Sequence, residues 1–218
     1  KEHSAGRGAQ LLRPALCDEA LRLARQLQHL LPDEAEVHGL AALLEIQASR
    51  LPARLDASGR PVLLPDQDRR RWDRLLIQRG LAALARAQAL AEPGPYALQA
   101  ELAACHARAA RAADTDWGAI VAGYDRLLAL NSSPVVALNR AVAIGFARGP
   151  AAAWPLLQAL DAEPQLRGYP FLAGAQADVL ERLGRSADAR QAYLRAAELT
   201  DNEAQRTLLL ARAARLAR

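Results

Sequence analysis

The acids most able to do chemistry are Asp66, Asp68 and Asp73, crowded into the stretch LPDQDRRRWDR. Carboxylates at such spacing can hold a divalent cation. Here, however, Arg69, Arg70, Arg71 and Arg74 lie among them. Arginines that close neutralise the acids first, so surface ion pairs are expected rather than a metal. Asp56-Ala57-Ser58-Gly59 opens like a calcium loop, but too few acids follow at the required spacing. It reads as a tight turn between two short extended pieces, Ala53–Leu55 and Pro61–Leu64. Of the histidines, His3 lies at the chain end, His29 and His38 fall on predicted helices, and His106 directly follows Cys105. Adjacent helical side chains diverge by about 100°, so Cys105 and His106 cannot easily share a metal, and hydrogen-bonded structural histidines are expected. Cys17 and Cys105 have no CxxC partner and read as buried, reduced thiols. Neither a Gly-rich phosphate loop nor a GxSxG elbow occurs. The expectation is a non-enzymatic protein with no catalytic residue, no metal and no cofactor.

The elements that must position these residues are helical. Hydrophobic residues make up 51% of the 218 while aromatics make up only 4%. A core built from Leu, Ala and Val suits closely packed helices better than a sandwich of sheets. No apolar run approaches the ~18 residues of a membrane span, and no charged-then-apolar leader opens the chain. A cytoplasmic protein that does not enter a membrane is expected. The net charge is +4, but the basic groups, all Arg except Lys1, are interleaved with acids rather than gathered into a stripe. That argues against direct nucleic-acid binding. The sequence has no methionine and opens on Lys1, which predicts a piece of a longer chain.

Apolar residues recur at three- and four-residue steps almost throughout, as in Leu16, Ala20, Leu23, Ala24, Leu27 and Leu31. Helices are predicted from there to Pro32, from Glu34 to about Arg50, Arg69 to about Ala91, Tyr96 to Ala110, Trp117 to Leu130 and Val135 to about Phe146. Four more are predicted at about Pro150–Leu160, Tyr169–Leu183, Ser186–Leu199 and Asn202–Arg215. Asp114-Thr115-Asp116 is a good N-cap cluster before Trp117.

Short links between helices of similar length point to an internal repeat. In Ala173–Asp201, small residues Ala177, Ala189 and Ala196 accompany Leu180 and Tyr193, with Gly184 in the turn. Ala137, Ala141, Ile144, Ala153, Leu157 and Leu160 give a second copy. This is similar to the tetratricopeptide pattern, though the usual Trp and Leu-Gly pair are missing. The expected fold is all-α: stacked antiparallel helical hairpins in a degenerate tetratricopeptide-like right-handed array, one domain over 1–218, with an extended hairpin insertion near 53–66. In that register the polar pair Asn139-Arg140 falls on the first helix of a hairpin, where Asn139 either faces a peptide groove or makes a helix-capping or inter-helix hydrogen bond.

Several stretches together resemble one family. They are LCDEALRLARQL (Leu16–Leu27), LLPDEAEVHGLAALL (Leu30–Leu44), ARLDASGRPVLLPDQDRRRWDR (Ala53–Arg74), PGPYALQAELAACHA (Pro93–Ala107), DTDWGAIVAGYDRLL (Asp114–Leu128), SPVVALNRAVA (Ser133–Ala143) and GYPFLAGAQADVLERLGR (Gly168–Arg185). These resemble the C-terminal tetratricopeptide-like extension of bacterial extracytoplasmic-function RNA polymerase sigma factors. The segment 53–72 is the most specific part, because no generic helical repeat needs it. Glu45-Ile46-Gln47 departs from the family by replacing a more apolar run.

The resemblance implies sigma regions 2 and 4 upstream, promoter DNA bound only through them, and an extension that regulates transcription initiation through protein–protein contacts. The implied partners are those two regions, the polymerase core and a YCII-like (DGPF-type) protein; a free-standing tetratricopeptide-like adaptor is the alternative. Within the hallmark segment, Trp72 is expected to anchor a helix start against the hairpin. Arg54, Asp56, Asp68 and Arg71 are expected to form an ion-pair network, with Asp66 closing the Pro61–Asp66 edge and Gln67 a further candidate beside it. That edge either contacts the sigma domains or polymerase, or serves only to cap the first repeats. Tyr96, Gln99 and His106 share a helix face and are expected to line the same surface, and Trp117 and Arg140 complete the candidates.

Overall fold

The computed structural model describes residues 14–217, so His3 and the chain start lie outside the described residues. Among the described residues it is all-α. Ten α-helices follow one another, and the only strand-like feature is an isolated antiparallel bridge, Leu55 to Pro61. The chain forms two compact units that meet in sequence at Asn131 and Ser132. No helix among the described residues is long and apolar enough to cross a membrane.

The unit ending at Asn131 holds α1 (Pro14–Leu30), α2 (Ala35–Ala48), α3 (Arg74–Leu90), α4 (Pro95–Arg108) and α5 (Trp117–Leu130). Helix α2 packs against α1, α3 and α4, and α4 also packs against α5. The core joins Ala42, Ile46, Ala53, Trp72, Ile77, Leu84, Ala100, Ala103, Ala104 and Ala107. Small residues set the helix spacing. A Cβ on Gly39 would stand 2.6 Å from the backbone nitrogen of Ala97, so α2 and α4 touch nearly backbone to backbone. Glu36 stands at the same crossing, its carboxylate accepting from the backbone N–H of Tyr96 and Ala97 at 2.8 and 3.1 Å. It satisfies orphan donors at the positive end of α4.

The second unit holds α6 (Pro134–Ala147), α7 (Pro150–Ala159), α8 (Pro170–Arg182), α9 (Ser186–Leu199) and α10 (Glu203–Arg215), each packed on the next after α6. Of the helical repeat residues read from sequence, Ala137 is only half-buried and the others are buried. Ala141, Ala153, Leu157 and Leu160 form one cluster, and Ala173, Ala177, Tyr193 and Ala196 another. Gly184 takes φ +76° in the turn between α8 and α9, a conformation glycine adopts without strain. Tyr193, fully buried, donates to Glu181 at 2.7 Å and lies under the Arg212 guanidinium at 4.7 Å.

Helix ends follow the local chemistry. Proline starts α4, α6, α7 and α8, where a missing N–H costs nothing. Asp116 caps α5 by accepting from Ala119 N–H, and Asn202 caps α10 by accepting from Gln205 N–H. One boundary differs from the sequence reading. The helix predicted from Arg69 to Ala91 begins only at Arg74. Asp73 caps it by accepting from the N–H groups of Leu75 and Leu76, and residues Arg69–Arg71 form a separate 3₁₀ turn capped by Asp68. A good cap outweighs the helix propensity of the arginines before it.

Candidate functional site

The hallmark segment occupies the stretch between α2 and α3. Its turn is self-contained. Asp56 Oδ1 accepts from the backbone N–H of Ser58 and Arg60 at 2.8 and 2.9 Å, and Oδ2 accepts from Arg60 Nε at 2.8 Å. Backbone bonds Asp56 N to Arg60 O and Val62 N to Arg54 O, both 2.9 Å, complete a short hairpin whose turn includes Gly59 at φ +75°. The backbone N–H of Arg60, with its side chain and Ser58, holds the Asp56 carboxyl below its ordinary value. The tight turn expected from sequence is present, although its extended arms shrink to one bridge. Gln67 is buried and closes the hairpin by donating to Val62 O at 3.2 Å, while Asp66 remains exposed.

Trp72 is 3% exposed and belongs to the core of this unit, directly before the α3 cap. It anchors the helix start, as expected, and two guanidiniums face its ring: Arg69 at 5.0 Å and Arg50 at 5.6 Å from the centroid. Arg69 is itself only 6% exposed. Its Nη1 donates to the carbonyls of His106 and Ala109 at 2.6 and 2.8 Å, and its Nη2 to Thr115 Oγ1 at 2.9 Å. A cation on the last carbonyls of α4 complements the negative helix end. The segment is thereby pinned to α4 and to the loop before α5.

His106 sits beside this cluster with its ring edge-on to Trp117, centroids 5.3 Å apart at 75°. Burial, and then the positive charges of Arg50 and Arg69, push its pKa down to about 4. The ring is neutral at physiological pH, and its buried Nδ1 has no partner. The expectation of hydrogen-bonded histidines therefore fails at His106. It holds at His38, whose ring nitrogens meet Gln28 and Pro32 O at 3.0 and 2.9 Å.

The network expected among Arg54, Asp56, Asp68 and Arg71 does not form. Each acid is taken by its nearest arginine: Asp56 by Arg60 and Asp68 by Arg70 at 2.9 Å. Arg71 reaches the hairpin through the carbonyl of Leu55 at 3.3 Å, and Arg54 turns to Gln47 Oε1 at 3.4 Å. Arg69, expected in surface pairs, is the buried tether instead, and the charge pattern hid it. Arg69 is drawn inward by the carbonyls at the end of α4 and by Thr115. Those partners lie 37 to 46 residues away, beyond the reach of any local pattern.

The shared surface of Tyr96, Gln99 and His106 is also not realised. Tyr96 and Gln99 are exposed at the start of α4, beside Glu36, whereas His106 meets the hallmark segment at the other end. Asn139 is exposed and Arg140 half-buried on α6, in the other unit. No group of three metal-binding side chains occurs among the described residues.

Sequence reasoning also missed the outward face of α1. Helix α1 turns Leu21 and Ala24 inward and leaves Leu16, Leu23, Leu27 and Leu30 exposed, at 59%, 46%, 38% and 75%. The helical period revealed the stripe but not which side of it is covered.

Residues 1–88, which include the hallmark segment, match the model of a family of unknown function, DUF6596. The chain is also similar to an uncharacterized protein of Rhizobium meliloti (strain 1021), 46% identical over 203 residues. That match covers 93% of this chain and 48% of the relative, so the chain spans about half the length of the curated relative it matches. No solved structure matches.

Proposed function

We propose that this chain is the regulatory C-terminal extension of an extracytoplasmic-function RNA polymerase sigma factor. It acts through protein–protein contacts with sigma regions 2 and 4 of the same chain and with the polymerase core. Promoter DNA is read through those regions and not by these residues; a YCII-like protein is a further candidate partner. The reading rests on the resemblance of the segments quoted above, 53–74 first among them. The observation that carries it is the exposed leucine face of α1, since contiguous apolar surface on a folded protein marks an interaction site. The greater length of the Rhizobium relative is in keeping with further domains beside a segment of this kind.

The test is run-off transcription by core polymerase with the full-length protein, comparing wild type with the double variant Leu23→Asp, Leu27→Asp. Both side chains face outward, so circular dichroism should show an unchanged helical fold. The expected result is a transcript yield altered several-fold. An unchanged yield overturns the α1 contact and favours the free-standing peptide-binding adaptor.

A further inference from the structure

Arg50, Arg54 and Arg69 gather just beyond the C-terminal end of α2, Arg50 and Arg69 over the Trp72 ring and Arg54 near Arg50. Among the described residues none of the three forms an ion pair with a carboxylate. Arg50 Nη1 and Arg54 Nη2 both turn to a single acceptor, Gln47 Oε1, at 3.2 and 3.4 Å. Arg69 spends its terminal nitrogens on the carbonyls after α4 and on Thr115. The Nε of each of the three arginines is buried without a partner, and so is Trp72 Nε1. Asp114 acts on Arg69 from a distance, but it is bound to Arg111 at 2.7 and 2.9 Å. The arginines pair with acids elsewhere in this unit, as at Arg22, Arg25, Arg60, Arg70, Arg86 and Arg126.

Converging unpaired cations with orphaned buried donors are costly unless an anion joins them. The negative end of α2 offsets only about half a charge. Burial, and then Arg54 and Arg69, push the Arg50 pKa down to about 10, in keeping with a site short of negative charge. Arg50 and Arg54 each keep part of their surface exposed, so the cluster opens to solvent.

We propose that Arg50, Arg54 and Arg69, with the indole N–H of Trp72, form a binding site for a phosphate group, either inorganic or carried as a small phosphomonoester. A carboxylate brings one charge and two oxygens. A phosphate group near neutral pH carries between one and a half and two charges and at least three acceptor oxygens, which suits several guanidiniums better. This goes beyond the proposed regulatory role and stands or falls separately from it, since the readout is binding and not transcription.

The test is the thermal midpoint of the 218-residue chain in sodium phosphate, glycerol phosphate, acetate and chloride at equal ionic strength, with titration calorimetry to obtain Kd. At a tenfold excess over Kd, phosphate should raise Tm by roughly 4 °C above chloride. A shift with both phosphate compounds defines a site open to esters, and a shift with inorganic phosphate alone defines a closed one. Arg50→Gln and Arg54→Gln should each weaken phosphate at least tenfold. Without phosphate, either variant should melt no lower than wild type, because like-charge repulsion is relieved. Arg60→Gln, at the exposed turn, should leave the phosphate shift intact. Three results overturn the assignment: no shift beyond chloride, an equal shift with acetate, or a shift undiminished in both arginine variants. If Arg50→Gln does not fold, Arg54→Gln and the wild-type calorimetry still decide.

Discussion

Lowering the pH should unlock the unit ending at Asn131 through His106. In the folded chain its pKa is pushed down to about 4, first by burial and then by Arg50 and Arg69. In the unfolded chain it returns to about 6.5. A folded value below the unfolded one means that folding favours the neutral ring. The stabilising contribution is therefore complete above pH 6.5 and is lost as pH falls from there through about 4. The span from 6.5 to about 4 corresponds to roughly 3 kcal/mol between the two protonation states. Urea unfolding followed by tryptophan fluorescence, at steps between pH 7.5 and pH 4.5, measures the loss. Carboxylates shared with the variant also titrate near the acid end, so the decisive quantity is the difference between wild type and His106→Gln. The wild type should lose most of that contribution over the interval, and the variant should show a much shallower dependence. A His106 ring proton titrating near 6.5 in the NMR spectrum of the folded chain would refute the reasoning. So would the same pH slope in both proteins.

Three further substitutions probe the packing. Trp72→Ala removes the aromatic that joins α2, the hallmark segment and α4, and should cost about 4 kcal/mol by chemical denaturation, as for large core truncations. Gly39→Ala places a methyl 2.6 Å from the Ala97 backbone nitrogen and should destabilise by about 2 kcal/mol, read as a lower Tm. Tyr193→Phe removes the 2.7 Å hydrogen bond to Glu181 and should cost about 2 kcal/mol in urea unfolding. In that variant the Glu181 carboxyl should also titrate higher. Burial pushes it up, and at present the Tyr193 hydrogen bond, with Arg212 and Arg215, outweighs that effect.

Much of the fold was legible because each helix carries its own start and stop signals. Asp116, Asn202 and the prolines at helix starts place boundaries without tertiary information. The small-residue pattern around Tyr193 placed the core of the last hairpins correctly, since only small side chains allow that approach. The illegible parts depend on distant partners. Glu36 caps a helix that begins at Pro95, and no local rule links the two. The arginine run 69–71 looks uniform in sequence, yet Arg69 is buried by carbonyls near residue 106 while Arg70 stays on the surface. Along α1 apolar residues occur on more than one face, so the period fixed the helix but not its covered side.

The most direct test of the regulatory reading is run-off transcription with core polymerase, the full-length protein and its own promoter, with and without the segment 1–218. A several-fold change is predicted. Loss of transcript would make the segment an integral part of the active factor, and a rise would make it a built-in brake. Identical yields with and without it would contradict the account.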